Sequence, residues 1–286
     1  MKKRIVIDTI IFVIISLLIS IVVIAKPNTS RVEITNDMGN VRITIPANAI
    51  EVSENVFSLG TAKDTNGKVV EGYIIVHKEE EAKPVWAADN SNKKVSSCYE
   101  FLSRGTKWKT SEPYLVDPSN NAGLYESEIR KILASSIEKW EDAADGKVNG
   151  IKGEDILGDE ITGVVDRANI GALNGANEVI FADITTNENI IAVTLLWGVF
   201  SGPVKNRELV EWDQIYDDVT FDWSTTREQG KMDFENVATH ELGHSIGLGH
   251  PENTCTLETM YAYVNLGETN KRSLNTGDIT GTKRLY

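Results

Sequence analysis

The part of the chain best suited to chemistry is residues 240–250, HELGHSIGLGH, which contains three of the four histidines in the sequence. On a helix, His240 and His244 lie one turn apart on one face, so their imidazole nitrogens can bind the same metal ion. Glu241 lies between them and is long enough to take a proton from a water molecule at that metal. The stretch therefore predicts a chelating pair with a general base beside it.

A third histidine extends this pattern. If the helix simply continued, His250 would lie about 240° around the axis from His244 and would not reach the metal. Gly247 stands where the chain must turn, because glycine enters the left-handed region without a Cβ penalty. His250 then becomes the third ligand. Three protein ligands leave one tetrahedral position of a zinc ion open, as in catalytic rather than structural zinc sites.

The complete pattern, followed by Thr259-Met260-Tyr261, resembles the metzincin superfamily of zinc endopeptidases, in which a methionine in a tight turn lies beneath the three imidazoles. The wording of the zinc motif and the stretches 107–118 and 277–286 are similar to the matrixin branch, which includes the matrix metalloproteinases. The resemblance covers about residues 98–286. It implies a catalytic Zn²⁺ held by His240, His244 and His250, Glu241 as the catalytic base, and extended polypeptides as substrates.

The implied fold is α+β: a metzincin domain with a twisted mixed, mostly parallel sheet, a long backing helix, an active-site helix and a C-terminal helix, preceded by a small β-rich region. Apolar residues at helical spacing predict the backing helix over 126–144, and Asp233 is a natural N-cap for the active-site helix. Apolar runs predict strands at 178–182, 190–196 and 209–216. By resemblance, 190–196 is an edge strand that pairs antiparallel with the substrate. Its composition fits a buried central strand equally well.

The sequence departs from the animal matrixins at several positions. Pro251 stands where serine is usual, and Ala262 replaces the proline two residues after the Met-turn methionine, which leaves the wall of the specificity pocket open to question. No PRCGxPD-type cysteine switch is present, and we expect no histidine-built structural zinc, because only His77 remains. The best description is a microbial-type matrixin. Tyr261 and Tyr263 are expected to line the primed side of the cleft.

Two further features have alternative interpretations. Cys98 and Cys255 predict one disulfide that ties the start of the domain to the active-site loop. In the alternative, the Cys98 thiolate caps the zinc in a latent form. Four aspartates either bind Ca²⁺, as matrixins often do, or belong to a solvated acidic loop; they are Asp213, Asp217, Asp218 and Asp222.

The start of the chain predicts export. A basic cluster at residues 2–4 precedes an uncharged apolar run over 9–25, so residues 1–26 are a signal peptide or a membrane anchor. The segment engages the membrane at least during export, and the catalytic domain, secreted or anchored, lies outside. The net charge of −13 argues against binding nucleic acid. We expect a monomer.

Residues 28–97 differ from the rest of the chain. Alternating patterns predict two β-hairpins, one around residues 36–40 and the other around 66–67, followed by a charged linker. His77 is expected to be an ordinary strand residue. A propeptide, a small β module and a spacer from the membrane all fit this region.

Together these features predict a zinc-dependent endopeptidase, a metalloprotease acting on extracellular proteins, with the catalytic domain at 98–286. Two alternatives stay open. One is a metzincin of another branch, and the other is a catalytically silent, membrane-proximal binding protein with a metzincin fold.

Overall fold

The computed structural model describes residues 33–37, 40–44, 49–79, 98–144, 147–148, 151–152, 155–185 and 190–286. The predicted export segment lies outside these residues, as does most of the predicted linker. Within the described ranges, no helix has the length and apolar character needed to cross a membrane.

The described residues form an α+β fold around a ten-stranded mixed sheet. Its strands are β1 (Glu33–Asp37), β2 (Asn40–Thr44), β3 (Glu51–Ser53), β4 (Val56–Lys63), β5 (Val69–Glu79), β7 (Tyr114–Asp117), β10 (Asn177–Thr185), β11 (Ile190–Val199), β12 (Glu208–Asp217) and β16 (Tyr263–Val264). Six two-residue strands form three small ribbons: β6 (Glu100–Phe101) with β15 (Leu248–Gly249), β8 (Lys147–Val148) with β9 (Ile151–Lys152), and β13 (Trp223–Ser224) with β14 (Met232–Asp233).

The main sheet runs in the order β1-β2-β10-β12-β11-β5-β4-β3, with β7 added to β10 and β16 to β5. β10 is parallel to β2, β7 and β12, and β16 is parallel to β5. The other neighbours are antiparallel. The expectation of a mostly parallel sheet concerns residues 98–286, and among the strands of that region β7–β10 and β10–β12 are parallel and β11–β12 is antiparallel. Over the whole main sheet, antiparallel pairs outnumber parallel ones. Both predicted hairpins, β1–β2 and β4–β5, join it, and hairpins bring antiparallel neighbours.

Strand β11 is internal in this structure. It lies between β12 and β5 and is buried at every position except Val199. The expectation of an edge strand is wrong for this arrangement, and the interpretation as a buried central strand is confirmed. The physical reason is β5, which pairs along the full length of what is otherwise a free edge, from Glu71 opposite Gly198 to Lys78 opposite Ile190.

Among the described residues, three α-helices accompany the sheet: α1 (Glu126–Ala143), α2 (Phe234–Ser245) and α3 (Thr276–Leu285). α1 is the predicted backing helix, and its predicted apolar face is buried. α1 packs on α2, where the indole nitrogen of Trp140 donates to the carbonyl oxygen of Thr239 at 2.8 Å. Asp233 caps α2 as predicted, because its carboxylate accepts from the backbone nitrogen of Asn236 at 3.0 Å.

Cys98 and Cys255 form a disulfide across a sequence separation of 157 residues. The predicted bridge is thus confirmed, and the alternative in which Cys98 caps the metal as a thiolate is wrong. The bond fastens the beginning of the region predicted to be catalytic, at residue 98, to the loop between His250 and Met260.

Candidate active site

The end of α2 positions the three histidines as the sequence predicts. His240 and His244 lie on the helix, and the chain then turns at Gly247, whose φ is +105° and whose backbone nitrogen donates to the carbonyl oxygen of His244 at 2.8 Å. A Cβ at Gly247 would lie 2.9 Å from the carbonyl oxygen of Thr106. Both the conformation and the crowding therefore require glycine, and the turn brings His250 back toward the helix.

The three imidazoles converge on one point. The Nε2 atom of His244 lies 3.1 Å from that of His240 and 3.1 Å from that of His250, and the remaining Nε2 pair is 3.3 Å apart. Three nitrogens bound to one tetrahedral zinc ion at about 2.0–2.1 Å lie about 3.3–3.4 Å from each other. The spacing of the histidines therefore fits zinc.

Hydrogen bonds on the far side of each ring orient the lone pairs inward. The Nδ1 atoms of His240, His244 and His250 lie 2.7, 2.9 and 3.0 Å from the carbonyl oxygens of Thr259, Leu248 and Glu54, respectively. A carbonyl only accepts, so each Nδ1 carries the proton and each Nε2 presents a lone pair. Three lone pairs at this distance repel one another unless a cation lies between them. The three converging Nε2 lone pairs therefore indicate a metal-binding site.

Burial keeps the three histidines neutral. Loss of solvation lowers the pKa of His250 to about 4 and moves the pKa values of His240 and His244 well below the ordinary value. Metal binding requires neutral imidazole, so the ligands need no further proton loss at neutral pH.

Glu241 lies beside the histidines and is fully buried. One carboxylate oxygen accepts from the hydroxyl of Thr194 on β11 at 2.5 Å, and the other lies 3.0 Å from Nδ1 of His77 on β5. Burial raises the pKa of Glu241 to about 8, and the hydrogen bond from Thr194 opposes that rise. The predicted base therefore lies between β11, within residues 98–286, and β5, within residues 28–97.

His77 lies on a strand, as expected, but it is part of the site. Its ring stacks on His240 with 3.9 Å between centroids, and its Nε2 atom lies 3.1 Å from the buried ammonium of Lys271. An ammonium only donates, so Nε2 accepts and the Nδ1 proton points to Glu241. His77, His240 and Glu241 form a second group of side chains close enough to hold a metal ion.

Lys271 is buried beside His77. Its ammonium donates to the carbonyl oxygens of Tyr261 and Tyr263 at 2.6 and 2.7 Å. These two tyrosines flank Ala262 in the segment after the predicted Met-turn, and all three residues are buried. The tyrosines therefore lie beside the site on the side where β16 pairs with β5.

Glu54 reaches the site from the turn between β3 and β4. Besides accepting from His250 through its carbonyl oxygen, it accepts from the hydroxyl of Tyr263 through its carboxylate at 2.8 Å. Asn55, next in the chain, is buried and has a φ of +59°. Sequence reasoning missed Glu54, His77, Thr194 and Lys271, because none of them belongs to a local motif.

Met260 lies beneath α2. A Cβ at Gly243 would collide with the Met260 sulfur and would lie 2.7 Å from the Trp140 ring, so this helical glycine makes room for the methionine. Asp278 at the start of α3 accepts from the backbone nitrogens of Thr259 and Met260 at 2.7 and 3.2 Å. The C-terminal helix therefore holds the turn whose Thr259 carbonyl orients His240.

The aspartates considered for Ca²⁺ have other roles. Asp213 accepts from the backbone nitrogens of Gly171 and Glu178, and Asp217 accepts from those of Val219 and Thr220. None of the four aspartates belongs to a metal-capable group among the residues that the structure describes. The positions give no support to the calcium prediction.

The fold and this site are compatible with a zinc metallopeptidase of the metzincin class. The family model for matrixin matches residues 207–286, which contain α2, the three histidines, Met260 and α3. A search of curated proteins finds no match to the chain. Over the matched residues the chain is therefore matrixin-like, and the resemblance seen in the sequence is confirmed there. The microbial type stays a prediction.

Proposed function

We propose that this protein is a zinc-dependent endopeptidase that hydrolyses peptide bonds of extracellular protein substrates. The observation that carries the proposal is the inward convergence of three neutral Nε2 lone pairs, with the Glu241 carboxylate on the same helix. This set of groups supplies a metal site and a proton acceptor together, which metal-assisted hydrolysis requires.

The residues have separate roles in this reaction. His240, His244 and His250 would hold the zinc, which would supply Lewis acidity to polarise a carbonyl and to make water nucleophilic near neutral pH. Glu241 takes the proton from the attacking water and passes it to the leaving amine. The Thr194 hydroxyl fixes the Glu241 carboxylate, and Asp278 fixes the loop that orients His240.

The proposed location is extracytoplasmic. The basic cluster and the apolar run at the start of the chain support it, as does the disulfide, because disulfides persist in oxidising compartments. The chain is then secreted or membrane-anchored with its catalytic part outside. Sequencing the N-terminus of the exported protein tests this: a start after residue 25 indicates a removed signal peptide, and retention of Met1 with recovery in membranes indicates an anchor. Recovery of the chain in the cytoplasm contradicts the proposal.

Metal removal tests the proposed activity. Casein is incubated with two forms of the protein: the full chain and the chain cut by a protease within residues 84–97. Each form is assayed with and without a zinc chelator. We expect the cut protein to cleave casein in a reaction that the chelator stops and added Zn²⁺ restores, and we expect the cut His244→Ala variant to lose both zinc and activity. Casein cleavage that survives complete zinc removal contradicts the proposal.

A further inference from the structure

The N-terminal region covers the active site. Within the described residues, the side chains of the base and the metal ligands are at most 9% exposed. Three contacts that enclose them come from two residues before residue 98: His77 against Glu241 and against His240, and Glu54 against His250. A peptidase must admit a polypeptide to its base, and this arrangement blocks one.

Strand β5 makes the covering continuous. Along one side it pairs antiparallel with β11, from Glu71 opposite Gly198 to Lys78 opposite Ile190. Along the other side it pairs first with β4, up to Ile75 opposite Val56, and later with β16, from Lys78 opposite Tyr263. Val76 and His77 lie between these two sets of partners. The chain therefore passes the metal site at the point where β5 changes its partner.

The position that β5 occupies is also the position that an extended peptide would take. A free sheet edge binds peptides as an additional strand, because backbone hydrogen bonds provide affinity while side-chain pockets select the sequence. Without β5, the edge of β11 would be unpaired next to Glu241, since Thr194 on β11 already bonds that carboxylate. In the structure β5 pairs with this edge of β11, and the His77 side chain lies between His240 and Lys271.

We propose that β5 is an internal pseudosubstrate: it fills the substrate-binding edge of the same molecule, with His77 against Glu241 and between His240 and Lys271, and it must leave before the enzyme acts. The inference rests on the proposed peptidase function. The turn at Glu54 and Asn55 acts with β5 by closing the approach over His250. The device needs no cysteine, because both cysteines form the disulfide.

The disulfide makes the inference testable by a single cut. Cys98 and Cys255 both lie downstream of the predicted linker, so a cut within residues 84–97 leaves no covalent tie between β5 and the catalytic part. A recognition sequence for a site-specific protease is inserted there in the full chain. The folded protein is cut, diluted and assayed on a quenched peptide. Uncut protein with the same insertion is the control.

We expect the activity to rise on cutting and dilution by on the order of 10²-fold or more, because an inhibitor that acts intramolecularly at an effective millimolar concentration becomes dilute. A synthetic peptide with the sequence of residues 72–79 should inhibit the cut enzyme, and the same peptide with alanine in place of histidine should bind less well. An uncut chain that is as active as the cut and diluted chain overturns the proposal.

Hydrogen exchange provides a readout that does not depend on activity. Peptides that contain β11 should exchange faster after cutting and dilution, because β11 loses its β5 partner, whereas peptides that contain α1 should not change. Faster exchange at β11 without any peptide cleavage means that the strand leaves but the proposed peptidase function fails. Unchanged exchange at β11 together with unchanged activity means that β5 is a permanent part of the fold.

A point variant of the uncut chain tests the proposal even if the cut protein unfolds. His77→Ala removes the contacts with Glu241 and Lys271 and should raise the activity of the full chain by about tenfold, equivalent to roughly 1.4 kcal/mol of lost inhibition. Val69→Ala, at the exposed start of the same strand, is the matched control and should leave the activity unchanged. Equal activities of the two variants contradict a role for His77 in blocking the site.

Discussion

Loss of the disulfide should destabilise the protein strongly. The bridge joins residues 157 apart, and the loop-closure entropy of a crosslink across that separation corresponds to about 5 kcal/mol at 25 °C. Native contacts near the bridge persist without it, since Gly277 at the start of α3 packs against the backbone of Cys98. We therefore expect the variant Cys98→Ser/Cys255→Ser to lose about 3–5 kcal/mol of unfolding free energy.

Guanidinium unfolding followed by tryptophan fluorescence measures this loss, because Trp108 and Trp140 are buried in the core. Each single variant, Cys98→Ser or Cys255→Ser, breaks the same bond and should cost as much as the double variant. Reduced wild-type protein should match all three. Two results would refute the reasoning. One is a pair of single-variant losses of unfolding free energy that add up to the loss of the double variant, and the other is a reduced wild-type protein whose guanidinium midpoint is unchanged.

Two further predictions concern packing and pH. Gly243→Ala should lower the unfolding free energy by about 1–2 kcal/mol, because overpacking against Met260 and Trp140 exceeds the helix-propensity gain of about 1 kcal/mol; a higher melting temperature would contradict this. Glu141→Gln should gain stability relative to wild type between pH 5 and pH 8. Burial raises the pKa of Glu141 from 4.5 to about 7, so the wild type loses stability as the pH rises through that range. Solvent screening at this partly exposed site reduces the expected gain in unfolding free energy to about 1 kcal/mol. Urea unfolding of both proteins at pH 5 and pH 8 measures this gain. A stability difference between variant and wild type that does not change with pH would contradict the raised pKa of Glu141.

The features that the sequence predicts well are local. The spacing of His240 and His244, the glycine at 247 and the N-cap at Asp233 each depend on a few neighbouring residues, and all appear in the structure as predicted. The same holds for α1, whose apolar face repeats at helical spacing.

The features that the sequence does not predict depend on contacts between distant segments. His77 and Glu241 are separated by 164 residues, and His77 and Lys271 by 194, so no spacing rule connects them. The prediction that β11 is an edge strand fails for the same reason. Its apolar sequence fits an edge or an internal strand, and only the pairing of β5 decides between them.

The central claim is that Glu241 performs the chemistry at a zinc ion held by the three histidines. The most direct measurement compares peptide cleavage and zinc content of Glu241→Gln with wild type, both cut within residues 84–97, and uses the exposed Glu252→Gln as the matched control. We expect one zinc ion in every protein, wild-type activity in Glu252→Gln, and a loss of about 10²–10⁴-fold in kcat for Glu241→Gln. A zinc-loaded Glu241→Gln that cleaves peptide at the wild-type rate would contradict the claim.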